Sequence, residues 1–356
     1  MFSMRRKLLE IMACPRCRGS FGCESLLEEG GEVIDGILSS GCGAWFPVIG
    51  GIPRILPDIL RDYPEYVEKY RDRLPGGKIS DAEIREFRRL KDRTSKSFGF
   101  QWTRYKTIHE EEETPIFFDK TGVTPDFMKG KLCLDGGCGY GRYSLVAAKS
   151  GAEVVAVDLS AAVESAYENT RVLGTVHVVQ ADLFNLPFRD GTFGFVYSIG
   201  VLHHTPDPRA AFGSLAPLVK PGGVMSVWVY KRRNPLSMFL NGLFRAFTTR
   251  MPHWLLWKLS WVGVPLGGFV RSIGDEWLRL QVGRLFFFVS KRPYPQERWA
   301  DTFDWWSPHY EHFHTEEEVR GWFEGSGFKD VHLTRRMEDD IGRRDFKDDI
   351  GFRGTR

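Results

Sequence analysis

Beyond Lys131 the chain settles into short apolar runs separated by amphipathic stretches of helical period. The runs predict strands at Lys131 to Leu134, Glu153 to Val157, Val176 to Val179, Phe193 to Tyr197 and Val224 to Val229, with helices between them. Strands alternating with helices are the pattern of an α/β doubly wound sheet. A helix at Thr315 to Glu324 and a strand near Val331 resume it after residues 231–300, which are apolar and aromatic but lack strand alternation and predict a helical insertion. Upstream, residues 58–129 are charged and helical. Ile84, Phe87 and Leu90 fall at helical spacing before an aromatic cluster of Phe98, Phe100, Trp102 and Tyr105, which predicts a linker that becomes a lid. Residues 1–57 form a short glycine-rich module closed by Gly50-Gly51-Ile52-Pro53, leaving 130–356 as the main domain.

Composition narrows the partners. The 49 basic and 46 acidic side chains leave a formal charge of +3, so no global field points at nucleic acid or an anionic membrane. Arg5, Arg6 and Lys7 precede only a short apolar stretch broken by Glu10, unlike a secretory signal, and nothing approaches 18 consecutive apolar residues. The expectation is a soluble cytoplasmic protein without a transmembrane segment. Of the six cysteines, four lie in the first 42 residues and Cys133 and Cys138 flank a glycine loop, a distribution that suits metal binding and reduced thiols better than disulfides.

The loop carries the chemistry. Leu132-Cys133-Leu134 runs into Asp135-Gly136-Gly137-Cys138-Gly139-Tyr140-Gly141 and then a helix from Arg142, at the sheet edge where such folds bind ligands. The spacing Gly137-x-Gly139-x-Gly141 departs from the dinucleotide pattern G-x-G-x-x-G. Asp135 would repel a pyrophosphate but attract the amino group and sulfonium of S-adenosylmethionine. Asp158, ending the second strand 19 residues beyond Gly139, is placed for two ribose hydroxyls, and Asp182, after the third strand, for an adenine amino group.

With Asp182-Leu183-Phe184-Asn185-Leu186-Pro187-Phe188, Phe193-Gly194-Phe195-Val196-Tyr197-Ser198, Gly200-Val201-Leu202-His203-His204 and Lys220-Pro221-Gly222-Gly223, residues 131–230 resemble the class I methyltransferase superfamily. The resemblance implies a Rossmann-like seven-stranded sheet with one antiparallel strand. It also implies donor contacts from Asp135, Gly137, Gly139, Asp158, Asp182 and the backbone near Ser198. Gly136, Leu159 and Leu183 adjoin these and complete the expected donor site. Phe193-Gly194 stands where relatives often have Phe-Asp, which removes a carboxylate near the strand start.

Methyl transfer asks the enzyme mainly to align a nucleophile about 3 Å from the donor carbon. A hydroxyl acceptor also profits from a base, and His203 or His204 on the same rim is the candidate, against a purely packing role. Asp304-Trp305-Trp306-Ser307-Pro308-His309-Tyr310, with His312 and His314, is a second polar cluster, read as acceptor pocket, loop packing or metal site. The insertion must cover something. It is a helical layer with its own core, a lid over a hydrophobic acceptor, or a membrane or oligomer contact.

Cys14-x-x-Cys17 and Cys42-Gly43 before Phe46-Pro47 resemble the small zinc-ribbon proteins that partner tRNA and release-factor methyltransferases. Those carry a second cysteine pair, but Ser39 stands where its first member would be. That leaves Cys14, Cys17 and Cys42 as structural zinc ligands, with Cys23 swinging in as a fourth, or else a degenerate ribbon held by its apolar core. The expected activity is transfer of a methyl group from S-adenosylmethionine to a small amphipathic or apolar acceptor, at oxygen before nitrogen or carbon, with nucleic acid not expected as a partner. The alternatives are a methyltransferase acting on tRNA or protein, and a non-catalytic donor-binding scaffold.

Overall fold

The computed structural model describes residues 7–57, 59–75, 80, 85, 107–232, 235–285, 288–334 and 349–356. Ile84, Phe87, Leu90 and the cluster from Phe98 to Tyr105 lie outside them. After a one-turn helix α1 (Leu8–Ile11), the N-terminal module is a meander of β1 (Phe21–Glu29), β2 (Glu32–Ser40), β3 (Trp45–Ile49) and β4 (Ile52–Ile55). Gly30 and Gly31 join the first two strands with φ of 61° and 81°, a left-handed pair that L side chains rarely adopt in tandem. Helix α2 (Pro64–Tyr70) buries Tyr66, Val67 and Tyr70 on the meander beside Ile37.

Helix α3 (Glu110–Thr121) and the short α4 (Pro125–Met128) lead into the central sheet. Glu113, Ile116, Phe117 and Lys120 recur at helical spacing and form the buried face of α3, charged at both ends and apolar between. The sheet strands and helices then alternate as β5 (Leu132–Gly136), α5 (Arg142–Lys149), β6 (Glu153–Asp158), α6 (Ala162–Thr170), β7 (Val176–Ala181), β8 (Phe193–Ile199), α7 (Pro208–Leu215) and β9 (Val219–Tyr230). β8 is buried along its full length, as a parallel strand covered on both faces must be.

The insertion folds as α8 (Pro235–Thr248), α9 (His253–Ser260), α10 (Gly263–Ser272), α11 (Glu276–Leu285) and α12 (Pro295–Trp306). Leu256, Trp257, Phe303 and Trp306 give it a core of its own, so the expectation of a helical layer is the one that agrees with its interior. Trp257 stacks on Trp299 at 4.5 Å inside that core. Helix α13 (Glu316–Gly325) starts with a capping box in which Thr315 and Glu318 satisfy each other's backbone N–H groups. β10 (Lys329–Leu333) and β11 (Asp349–Thr355) close the sheet, β11 running antiparallel to both β9 and β10.

The expected seven strands are β7-β6-β5-β8-β9-β11-β10, but they are part of one mixed 11-stranded sheet in the order β1-β2-β3-β4-β7-β6-β5-β8-β9-β11-β10. The N-terminal module extends the sheet, because β4 pairs in parallel with β7 through Arg54 opposite Gln180 and Ile55 opposite Ala181. Its start is bound as well. Met12 bridges Phe188, and Ala13 N–H and Arg189 N–H exchange hydrogen bonds with Pro187 and Ile11 carbonyls.

Candidate active site

β5, β6, β7 and β8 are parallel, so Asp135, Asp158, Asp182 and Ser198 come to one edge of the sheet. The glycine loop is held there by Gly137 and Cys138 N–H groups, both donating to Val157 O at 2.8 Å. At Gly137 φ is +89° and an added Cβ would meet Val201 at 2.4 Å, whereas Gly139, at φ +54°, faces open space. Gly141 lets α5 approach Ala166 of α6. The result is a cradle whose backbone a small ligand can reach.

Asp158 accepts from Gly139 N–H at 2.9 Å with one oxygen and from Ser160 N–H and Oγ at 2.8 and 2.7 Å with the other. Leu159 beside it is 53% exposed, a large apolar side chain standing next to a carboxylate. Asp182 accepts from Phe184 N–H at 3.0 Å, with Leu183 buried behind it. Ser198 Oγ donates to Gly136 O at 2.7 Å. Asp135 is only 2% exposed, and Ser144 Oγ donates to it at 2.6 Å. Burial raises its carboxyl to about 7, and the Ser144 bond only partly opposes this.

The two histidine groups that the sequence holds about a hundred residues apart converge. His203 is fully buried and stacks on Tyr230 at 3.8 Å. His312 N–H donates to His203 O, and His314 N–H to Tyr230 O, both at 2.9 Å. His204 lies 4.2 Å from His203 between ring centroids, and its Nδ1 meets Tyr310 O at 2.9 Å. Burial, then the neighbouring His204, hold His203 well below the ordinary imidazole range, and burial pulls His204 down to about 4, so both rings are neutral near pH 7. Neither His203 ring nitrogen has a hydrogen-bond partner among the described residues.

Several neighbours were not singled out from the sequence. Glu113 of α3 meets Arg142 at 3.5 Å and Arg292 at 3.3 Å, and Arg292 also reaches Asp301 of α12 at 3.3 Å. Burial would raise the Glu113 carboxyl, but Arg142, Arg292 and Lys120 outweigh it and lower it. Lys120 sits 3.7 Å over the Trp228 ring, and burial, then Arg142 and Arg292, lower it to about 7. Tyr140 of the loop packs against Ala300 of α12 and Ile108, which brings the end of the insertion onto the glycine cradle. The available signal was the spacing of Glu113, Ile116, Phe117 and Lys120, an apolar helix face with ionisable ends.

In the module, the Sγ atoms of Cys14, Cys17 and Cys42 lie within 4.8 Å of one another. Cys23 is not among them. It lies on β1, paired opposite Leu38, and packs toward the main core. Ser40 Oγ lies 3.1 Å from Cys17 Sγ and 3.8 Å from Cys42 Sγ.

A doubly wound sheet with a glycine cradle and carboxylates at successive strand ends defines an enzyme for a cationic nucleoside-type ligand. A family model described as "Methyltransferase domain" matches residues 134–227. The ubiquinone biosynthesis O-methyltransferase of Bordetella avium is 33% identical over 186 residues, which cover 50% of this chain and 72% of that protein. An uncharacterised Synechococcus protein is 31% identical over 116 residues, 31% of this chain and 28% of that one. Among solved structures, magnesium protoporphyrin IX methyltransferase from Synechocystis has a TM-score of 0.38 at 17% identity, covering 84% of this chain and 98% of that one. This chain belongs to the class I S-adenosylmethionine-dependent methyltransferases.

Proposed function

We propose that the chain methylates an oxygen atom of a small, amphipathic or apolar acceptor, with His203 as the base. The observation that carries this is a buried imidazole in the turn after β8, stacked on Tyr230, with no hydrogen-bond partner for either ring nitrogen among the described residues. A buried polar group without a partner is costly, and an acceptor hydroxyl would relieve that cost. The names of the ubiquinone biosynthesis O-methyltransferase relatives support the same acceptor atom and an apolar acceptor.

The donor supplies a methyl group already activated by sulfonium charge. On this reading Asp135 faces its cationic end, the Gly137 to Gly139 backbone carries its middle, Asp158 takes the ribose hydroxyls, and Asp182 takes the adenine amino group beside Leu159 and Leu183. His203 then accepts the acceptor's hydroxyl proton, and the stacked Tyr230 holds the ring in place. His204, tied to Tyr310 O, acts as a positioning residue.

The test is methyl transfer from labelled donor to a panel of apolar phenols and catechols. His203→Ala is expected to lower kcat by about 10²-fold while leaving donor affinity intact. Turnover unchanged in that variant would remove the base, and label entering only RNA or protein would overturn the small-molecule acceptor.

The three clustered sulfurs, with Ser40 Oγ beside them, fit a structural zinc ion, because sulfur donors gathered this closely can share one tetrahedral cation. Elemental analysis of protein purified without added metal is expected to find near one zinc per chain. A folded, metal-free sample would establish the degenerate ribbon instead.

A further inference from the structure

The insertion keeps its interior aromatics together but leaves a second set facing outward. Phe239, Leu243 and Phe247 recur every four residues along α8, and Phe239 and Phe247 are 67 and 65% exposed. On α9, Leu256, Trp257 and Ser260 are buried while Trp254, Lys258 and the flanking Trp261 share the opposite face. Phe269 on α10 and Trp277 on α11 are also exposed, Trp277 at 69%. Isolated exposed apolar side chains are ordinary, but large aromatics repeated on four consecutive helices are not.

Charge is concentrated in the same place. Residues 235–285, which span α8 to α11, contain six arginines and lysines against only Asp275 and Glu276, a net of +4 in a chain whose total is +3. The positive charge of the chain is therefore carried by these helices, the remainder being −1. Arg250, Lys258 and Arg271 are exposed among the aromatics. Lys258 lies 5.4 Å over the ring of Trp254, so a cation and an aromatic share one surface point. No helix among the described residues is long and apolar enough to cross a membrane.

We propose that the outer face of α8 to α11 docks on the surface of an anionic lipid bilayer. Aromatic rings settle at the level of the headgroups, and arginine and lysine side chains meet the lipid phosphates, which is the combination this face offers. Two copies of a face that carries Arg250, Lys258 and Arg271 repel each other, which argues against self-association through it. The proposal does not depend on which acceptor is methylated.

The test is co-sedimentation of the full chain with vesicles of phosphatidylcholine alone or mixed with phosphatidylglycerol. Binding is expected only to the mixed vesicles and is expected to fall steeply with added salt. Trp254→Ser with Trp277→Ser should weaken it by about tenfold or more. Both positions are exposed, and unchanged donor binding would show that the fold is retained. Arg250→Glu with Lys258→Glu provides a second, surface-only variant with the same expected loss. Equal binding to both vesicle types, no binding, or full binding by both variants would overturn the proposal. So would a dimer in sedimentation velocity that the serine variant dissolves, because the face would then belong to a second copy.

Discussion

Asp135 shows how one side chain can link donor binding to pH. Its carboxyl rises from 3.8 in an open chain to about 7 in the fold, because burial disfavours the charged form. In the donor-free protein the folded state therefore holds a proton that the unfolded chain has lost. Stability from this group is fully present below about pH 4 and is lost as pH rises through about 7. If Asp135 faces the cationic donor as proposed, binding has the opposite requirement, because it needs the carboxylate. Affinity for S-adenosylmethionine is expected to fall as pH drops below about 7 in the wild type and to be weaker but flat over that range in Asp135→Asn. Calorimetric titration between pH 6 and 8 would decide it, and parallel pH profiles for the two proteins would remove Asp135 from the donor contact.

At the scale of elements, the glycine loop is the most constrained junction. Gly137 combines a left-handed φ with a Cβ position only 2.4 Å from Val201, so Gly137→Ala must move either the loop or the segment that leads to His203. The variant is expected to lose roughly 2 kcal/mol or more in urea unfolding and most of its donor affinity. A well-folded variant that still binds donor would show that the loop has room to move. This junction was legible in the sequence because glycine spacing, strand period and capping residues are local signals. Asp158 ends its strand and Asp182 follows the next one as expected for the same reason, and the helix expected from Thr315 begins there.

What local signals could not show was which segments meet. His203 and His312 are each visible as polar residues in apolar surroundings, but only the packing of the segment after α12 across β9 joins them around Tyr230. The ion pairs from Glu113 to Arg142 and Arg292 connect three segments and have no sequence period at all. Trp257 and Trp261 look alike in the sequence, yet the first is core and the second is 54% exposed, a difference set by helix phase against α12. Cys23 matched the ligand expectation by residue type alone, and strand pairing carried it away from the other thiols.

At the scale of the whole molecule, the module is wired into the donor edge. Arg54 is 1% exposed, donates to Gln180 Oε1 at 2.9 Å and pairs with Glu164 at 2.6 Å, while Gln180 Nε2 donates to Leu159 O at 3.0 Å. A residue of the module thus steadies the backbone next to Asp158. Arg54→Met leaves Gln180 Oε1 buried without this donor, whereas Glu164 keeps solvent contact, so the cost is expected to be about 2 kcal/mol. Donor affinity should fall with it, measured by calorimetry on the folded variant. A change in stability alone would separate the module from the donor site.

The pairing of β4 with β7 also dictates an order of events during synthesis. Arg54 leaves the ribosome 126 residues before Gln180, its partner. Until then the β4 edge lacks its partner strand, and Arg54 lacks Gln180. Edges of that kind recruit whatever strand is nearby, and closing a contact over so long a span is slow. The meander has to wait for this seam, which joins the first part of the chain made to the strand that leads into Asp182.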